Sequence, residues 1–141
     1  MSRLSISHFL FGFWLIAFSA LLGAFISTEE TRSFILDPKI RDSWQSVLLK
    51  SSHGHSSLFG LIHIVFGLTL PYSRLSHRIK VFQTIGLLCG SGCMNILLVV
   101  KAFHMPILGF DLLGIFMGFG LSFWILSVIF HCFGLSKSLL K

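Results

Sequence analysis

The sequence predicts an all-α integral membrane protein: a four-transmembrane-helix bundle with a short amphipathic interfacial helix in its first outer loop. Three observations carry this. Hydrophobic residues make up 54% of the 141 residues and charged residues only 11%, against roughly a quarter charged in a soluble domain. The charges lie between four apolar runs rather than within them. Lys and Arg crowd the short loop on one side. A soluble core of this length could not cover so much apolar surface, so a bilayer is the expected solvent and residues 1–141 form one membrane domain.

The spans follow from the uncharged runs. Leu4 to Thr28, Ser51 to Ser73, Val81 to Val100 and Leu112 to Ser136 contain no Asp, Glu, Lys or Arg. A helix needs about 20 apolar residues to cross the hydrocarbon core. The predicted spans are 8–27, 56–73, 81–100 and 107–131. The first run exceeds the roughly 7–15 residues of a signal-peptide apolar region and is expected to be retained.

Orientation follows from loop cations. Arg3, Arg74, Arg78, Lys80, Lys137 and Lys141 fall on one side, and Arg32, Lys39, Arg41, Lys50 and Lys101 on the other. The numbers are close, but the first set is concentrated beside the spans. Both termini are therefore predicted to be cytoplasmic, in a bacterial-type inner membrane. The net charge of +6 does not imply nucleic acid, because no basic run is long enough to form such a patch. Cys89, Cys93 and Cys132 lie in apolar spans and read as small hydrophobic residues, not as a disulfide framework.

The first outer loop carries helix signals. Asp37 can cap a helix with Pro38 at its first position. Ile40, Trp44, Val47 and Leu48 then repeat on one face. This predicts an interfacial helix over 38–50. The rival reading is an outward extension of the second span, with a break at Gly54.

Small and polar residues recur on one face of each span, as close helix packing in lipid requires. The first span aligns Ser5, His8, Gly12, Ser19 and Gly23, and the second His53, Ser56, Gly60, His63 and Gly67. The third offers Gly86 and Gly90, and the fourth Gly114 and Gly118 with Asp111 and Ser122 on that side.

Leu21-Leu22-Gly23-Ala24-Phe25, Ile85-Gly86-Leu87-Leu88 before Ser91-Gly92, and a Pro-containing loop before a Gly-rich fourth span resemble the small four-span transmembrane-protein-256-like family. The chain departs from that pattern at Ile26-Ser27-Thr28 and at Gly109-Phe110-Asp111. The family has no established activity, so the resemblance implies architecture only.

Candidate chemistry rests on histidine. His53, His55 and His104 are predicted at the outer surface, with Asp111 one turn inside the fourth span. Imidazole with carboxylate suits a transition metal. In an unbroken helix, however, His53 and His55 point roughly 160° apart. His63 lies on the Gly60/Gly67 face, where missing side chains leave room for a haem such as haem b, with imidazole as axial ligand. No partner at matching depth is apparent, since His8 and His131 are placed near the inner surface. The alternative is an interhelical hydrogen bond from His63 to Asn95 or Ser91. Asp111 is the one acid in a span, which marks a functional candidate, with pairing to Lys101, His104 or Asn95 as the other reading.

No nucleophile–base pair, phosphate loop or helical HExxH motif is present. The functional expectation is a non-enzymatic accessory or assembly subunit of a larger membrane complex, or a homo-oligomer. The alternative is a haem- or metal-binding redox subunit.

Overall fold

A computed structural model describes residues 1–36, 44–104 and 111–139. These form α1 (Arg3–Leu36), α2 (Trp44–Thr69), a 3-10 turn (Leu70–Tyr72), α3 (His77–Ala102) and α4 (Leu112–Leu139). All four helices are long and apolar enough to cross a bilayer, as an integral membrane protein requires. Pro71 stops α2 by removing a backbone donor, and the Ser76 hydroxyl caps α3 by accepting from the Ile79 N–H.

The helices pack mainly in chain order: α1 on α2, α2 on α3, and α3 on α4, with a lighter α1–α3 contact. Three small apolar clusters fill the interior. Leu15, Phe59, Met94 and Leu98 lie at its middle. Ile26, Leu49 and Ala102 sit toward the connecting loops, and Phe66, Leu70 and Leu87 toward the end bearing both termini.

The helix bounds differ from the predicted spans in an informative way. At 34 residues, α1 is about 51 Å long at 1.5 Å per residue, well beyond the roughly 30 Å hydrocarbon core. It and α2 therefore continue outward as a helical hairpin, tied by Lys50 to Glu30 at 2.7 Å and by the Ser46 hydroxyl donating to Glu30 at 2.6 Å. A separate interfacial helix over 38–50 is not confirmed. Residues 44–50 are the first turns of α2, which runs through Gly54 without a break, and residues 38–43 of that prediction extend outside the described residues. An exposed Gly54 costs propensity but does not break a helix whose other face is packed.

Close packing follows the predicted glycine faces in three helices. A Cβ on Gly12 would lie 2.7 Å from the Gly60 carbonyl oxygen, and one on Gly60 would lie 2.8 Å from that of Gly12. Gly86 and Gly90 seat α4 in the same manner, the Gly90 position lying 2.6 Å from the Gly120 carbonyl oxygen. The face of α4 is the correction. Gly118 meets nothing within 4 Å, and Ser122 is exposed. The buried positions of α4 are Gly120, Ser127, His131 and Gly134, which lie on the opposite side of the helix.

Candidate functional site

Close approach of α1 and α2 brings two imidazoles together. His8 lies one turn before Gly12, and His63 nearly one turn after Gly60 on the antiparallel neighbour. The missing side chain of Gly67 makes further room, since a Cβ there would lie 3.2 Å from the His8 Cβ. Both histidines have no exposed surface. Their Nδ1 atoms are 2.9 Å apart, and the rings are tilted by 31° with centroids 5.1 Å apart. On the outer side of each ring, α3 supplies a hydroxyl. His8 Nε2 is 3.1 Å from Thr84 Oγ1, and His63 Nε2 is 2.8 Å from Ser91 Oγ. Phe11 meets His63 edge-on at 4.9 Å and Phe66 lies 4.7 Å from His8, so the chain Thr84–His8–His63–Ser91 is enclosed by apolar rings.

Proton bookkeeping constrains this chain. Ser91 Oγ also donates to the Leu87 carbonyl at 2.6 Å, and Thr84 Oγ1 to the Lys80 carbonyl at 2.9 Å. A hydroxyl has one proton, and two neutral imidazoles have two N–H groups between them. With both hydroxyls donating to carbonyls, the three ring contacts require three N–H protons. Either the pair holds one extra proton, or one hydroxyl turns from its carbonyl to donate to a ring. The path ends at Ser91: Asn95 Nδ2 donates to the Ser91 backbone carbonyl at 2.9 Å, not to its hydroxyl. Beyond it the Ser56 hydroxyl donates to Asn95 Oδ1 at 2.8 Å. The arrangement can hold or exchange a proton locally and ties three helices together. It is not a continuous proton path across the bundle.

Of the two hydrogen-bond partners anticipated for His63, the structure provides Ser91. Both ring nitrogens of His63 are engaged, so axial ligation of a haem would require one of these bonds to be given up. A span beginning at residue 8 puts His8 at the inner surface, whereas α1 begins at Arg3 and carries His8 more than a turn inside the helix. The signal was present: setting Gly12 against Gly60 in antiparallel register places His8 opposite His63.

The structure does not bring His53, His55, His104 and Asp111 together. Among the described residues, no group of three or more His, Cys, Asp or Glu side chains is placed to hold one metal ion. His53 faces α1, its Nδ1 donating to the Ser19 carbonyl at 2.8 Å, in space that a Cβ on Gly23 would fill. His55 points elsewhere, bonding Ser51 O of its own helix at 2.7 Å, as an unbroken helix dictates. His104 is exposed and bonds the Val100 carbonyl at 2.7 Å. Asp111 pairs with Lys101, one of its three anticipated structural partners. The Trp44 indole N–H ties this corner to α2, donating to the His104 carbonyl at 3.0 Å.

The Lys101 ammonium, bonded to Asp111, holds that carboxyl below the usual carboxylate range, and the Gly114 backbone N–H adds to the effect. A lowered folded-state pKa stabilises above the unfolded value near 3.8 and is lost as pH falls through the lower folded value. We expect the thermal midpoint in detergent to be insensitive to Asp111→Asn in its pH dependence between about pH 5 and 8, and the variant to lose less stability than the parent below about pH 4. Identical acid limbs for parent and variant would remove the ion pair from the stability account.

At the other end, His131 stacks on Phe66 at 3.8 Å and bonds Thr69 Oγ1 at 2.8 Å through Nε2. Its Nδ1, together with both amide atoms of Gln83, is buried without a hydrogen-bond partner among the described residues.

The fold and polar core thus define a class: a four-helix bundle of membrane-spanning dimensions, closed around an imidazole–hydroxyl chain. No protein-family model matches the chain, and neither a curated protein nor a solved structure matches it.

Proposed function

We propose that this chain is a non-enzymatic accessory or assembly subunit that packs against a larger membrane complex through α4. The observation that carries the proposal is the exposure of that helix. Only 6% of its apolar window is buried within the chain, against 44% for α3. Phe116, Phe119, Phe123, Phe130 and Phe133 are all exposed and fall within about 100° of one another around the helix axis. Lipid accepts any bulky apolar side chain in any order. A ridge with Phe116, Phe123 and Phe130 at seven-residue spacing also suits a neighbouring helix, where van der Waals packing supplies the association energy. The polar side chains of α1 to α3 are largely spent inside the bundle, which fits a packing role better than a catalytic one.

The test is copurification from native membranes in mild detergent. The proposal expects one reproducible partner, lost from the Phe123→Ala/Phe130→Ala double variant while the variant remains helical and monodisperse. A monodisperse wild-type protein with no reproducible partner would count against it.

The orientation belongs to the same proposal. Arg3, Arg74, Arg78, Lys80 and Lys137 gather at the end bearing both termini, which favours the cytoplasmic side. A reporter fused after Lys141 should be active in the cytoplasm, and one inserted near Lys39 on the opposite side. The reverse pattern would invert the topology.

A further inference from the structure

The two ends of the bundle treat their cations differently. At the loop end Lys50 meets Glu30 and Lys101 meets Asp111. At the end bearing the termini, Arg3, Arg74, Arg78, Lys80 and Lys137 have no described acidic side chain among them. Glu29, Glu30 and Asp111 all belong to the other end, and Asp37 and Asp42 fall by sequence in the connection between α1 and α2. Part of this basic surface is shaped. A cavity of about 480 Å³ opens between the start of α1, the 3-10 turn and the start of α3, lined by Arg3, His77 and Lys80 together with Ser2, Leu70 and Pro71. That volume falls within the roughly 300–1,000 Å³ of small-molecule sites. Lys80 is half-buried and Leu70 is fully buried, so the cavity has an inner apolar wall and a basic lining drawn from two helices.

We infer that this cavity binds the phosphate group of an anionic phospholipid from the adjoining leaflet. Arg3 and Lys80, which line the cavity from two helices, supply charged donors for phosphate oxygens. The Ser2 hydroxyl and the His77 ring offer further hydrogen bonds. Leu4 and Pro71 offer accessible apolar surface, against which the first carbons of the glycerol and acyl chains lie. Basic pockets between membrane helices recognise anionic headgroups in this manner. A zwitterionic headgroup carries the same phosphate but adds a cation, which Arg3 and Lys80 repel. The cavity shares no lining residue with the exposed α4 face, so it stands or falls apart from the proposed subunit role.

Native mass spectrometry of the full chain in detergent tests this, with phosphatidylglycerol and phosphatidylcholine of identical acyl chains as probes. One phosphatidylglycerol should be retained at concentrations where phosphatidylcholine is not. Arg3→Gln/Lys80→Gln should weaken retention by about tenfold or more, following the roughly one-charge increments of cation–anionic-lipid attraction. Arg74→Gln/Arg78→Gln removes equal charge from the same end outside the cavity and should weaken it by less than about threefold. The charge-conserving Arg3→Lys/Lys80→Arg variant should retain binding, which separates loss of the site from loss of the fold. Equal losses in the two neutralised variants would reduce the effect to diffuse surface charge and overturn the site. Equal retention of both lipids would overturn headgroup recognition. Complete displacement of the lipid by millimolar inorganic phosphate would assign the cavity to a soluble phosphate compound and overturn the lipid assignment.

Discussion

Gly60→Ile should unseat α1 from α2 and cost about 3 kcal/mol or more of stability, from overpacking and the loss of interhelical contact. The clash is with main chain as well as with the Ile16 side chain, so moving that side chain alone does not relieve it. A Cβ at Gly60 would lie 2.7 Å from Ile16 Cγ1 and 2.8 Å from the Gly12 carbonyl oxygen, while one at Gly12 would lie 2.7 Å from the Gly60 carbonyl oxygen. Neither helix can relieve this by changing a rotamer, so the axes must separate. Separation of even about 1 Å would stretch the 2.9 Å contact between His8 and His63 beyond hydrogen-bonding range. Unfolding in mixed micelles followed by circular dichroism measures the cost. Gly54→Ala is the matched control, because its Cβ would enter open space at an exposed helical site. If Gly60→Ile unfolds within error of the parent, the α1–α2 register described above is wrong.

His63→Leu should have the second-largest effect, a loss of about 2–3 kcal/mol. It removes two ring hydrogen bonds from one fully buried side chain and leaves His8 Nδ1 without its partner in an apolar enclosure. Ser91→Ala and Thr84→Val each take away one ring contact instead of two, so each should cost less than His63→Leu. A double-mutant cycle between His8 and His63 should return a coupling energy of about 1–2 kcal/mol, within the range for buried neighbours that share a network. Additive losses at the two positions would show that the imidazoles do not interact. Nitrogen-15 spectra of the imidazoles give an independent reading, since the shared contact requires one donating and one accepting Nδ1. Two rings with the same Nδ1 protonation would contradict it.

The sequence by itself determined the all-helical class of fold, the number of helices long and apolar enough to cross a bilayer, and the inward faces of α1, α2 and α3. Uncharged runs of sufficient length leave few alternatives to a spanning helix. Glycine, serine and histidine at helical spacing mark a packed face wherever the rest of the surface is bulky and apolar. The divergence of His53 and His55 followed from the same periodicity, whereas the choice between Ser91 and Asn95 as partner of His63 did not.

The tertiary structure alone decided how the helices register against one another. Periodicity reports which side of a helix a residue occupies, but not its depth relative to a residue on the next helix. His8 therefore appeared too shallow to reach His63 until the glycine contact set the register. The face of α4 was ambiguous for a different reason. With a mean hydropathy of 2.2 across its apolar window, α4 carries small residues on both sides, at Gly114 and Gly118 and at Gly120 and Gly134. In lipid the outward surface is as apolar as the inward one, so burial leaves no polar–apolar contrast in the sequence, and only contact with Gly86 and Gly90 of α3 selects the packed side.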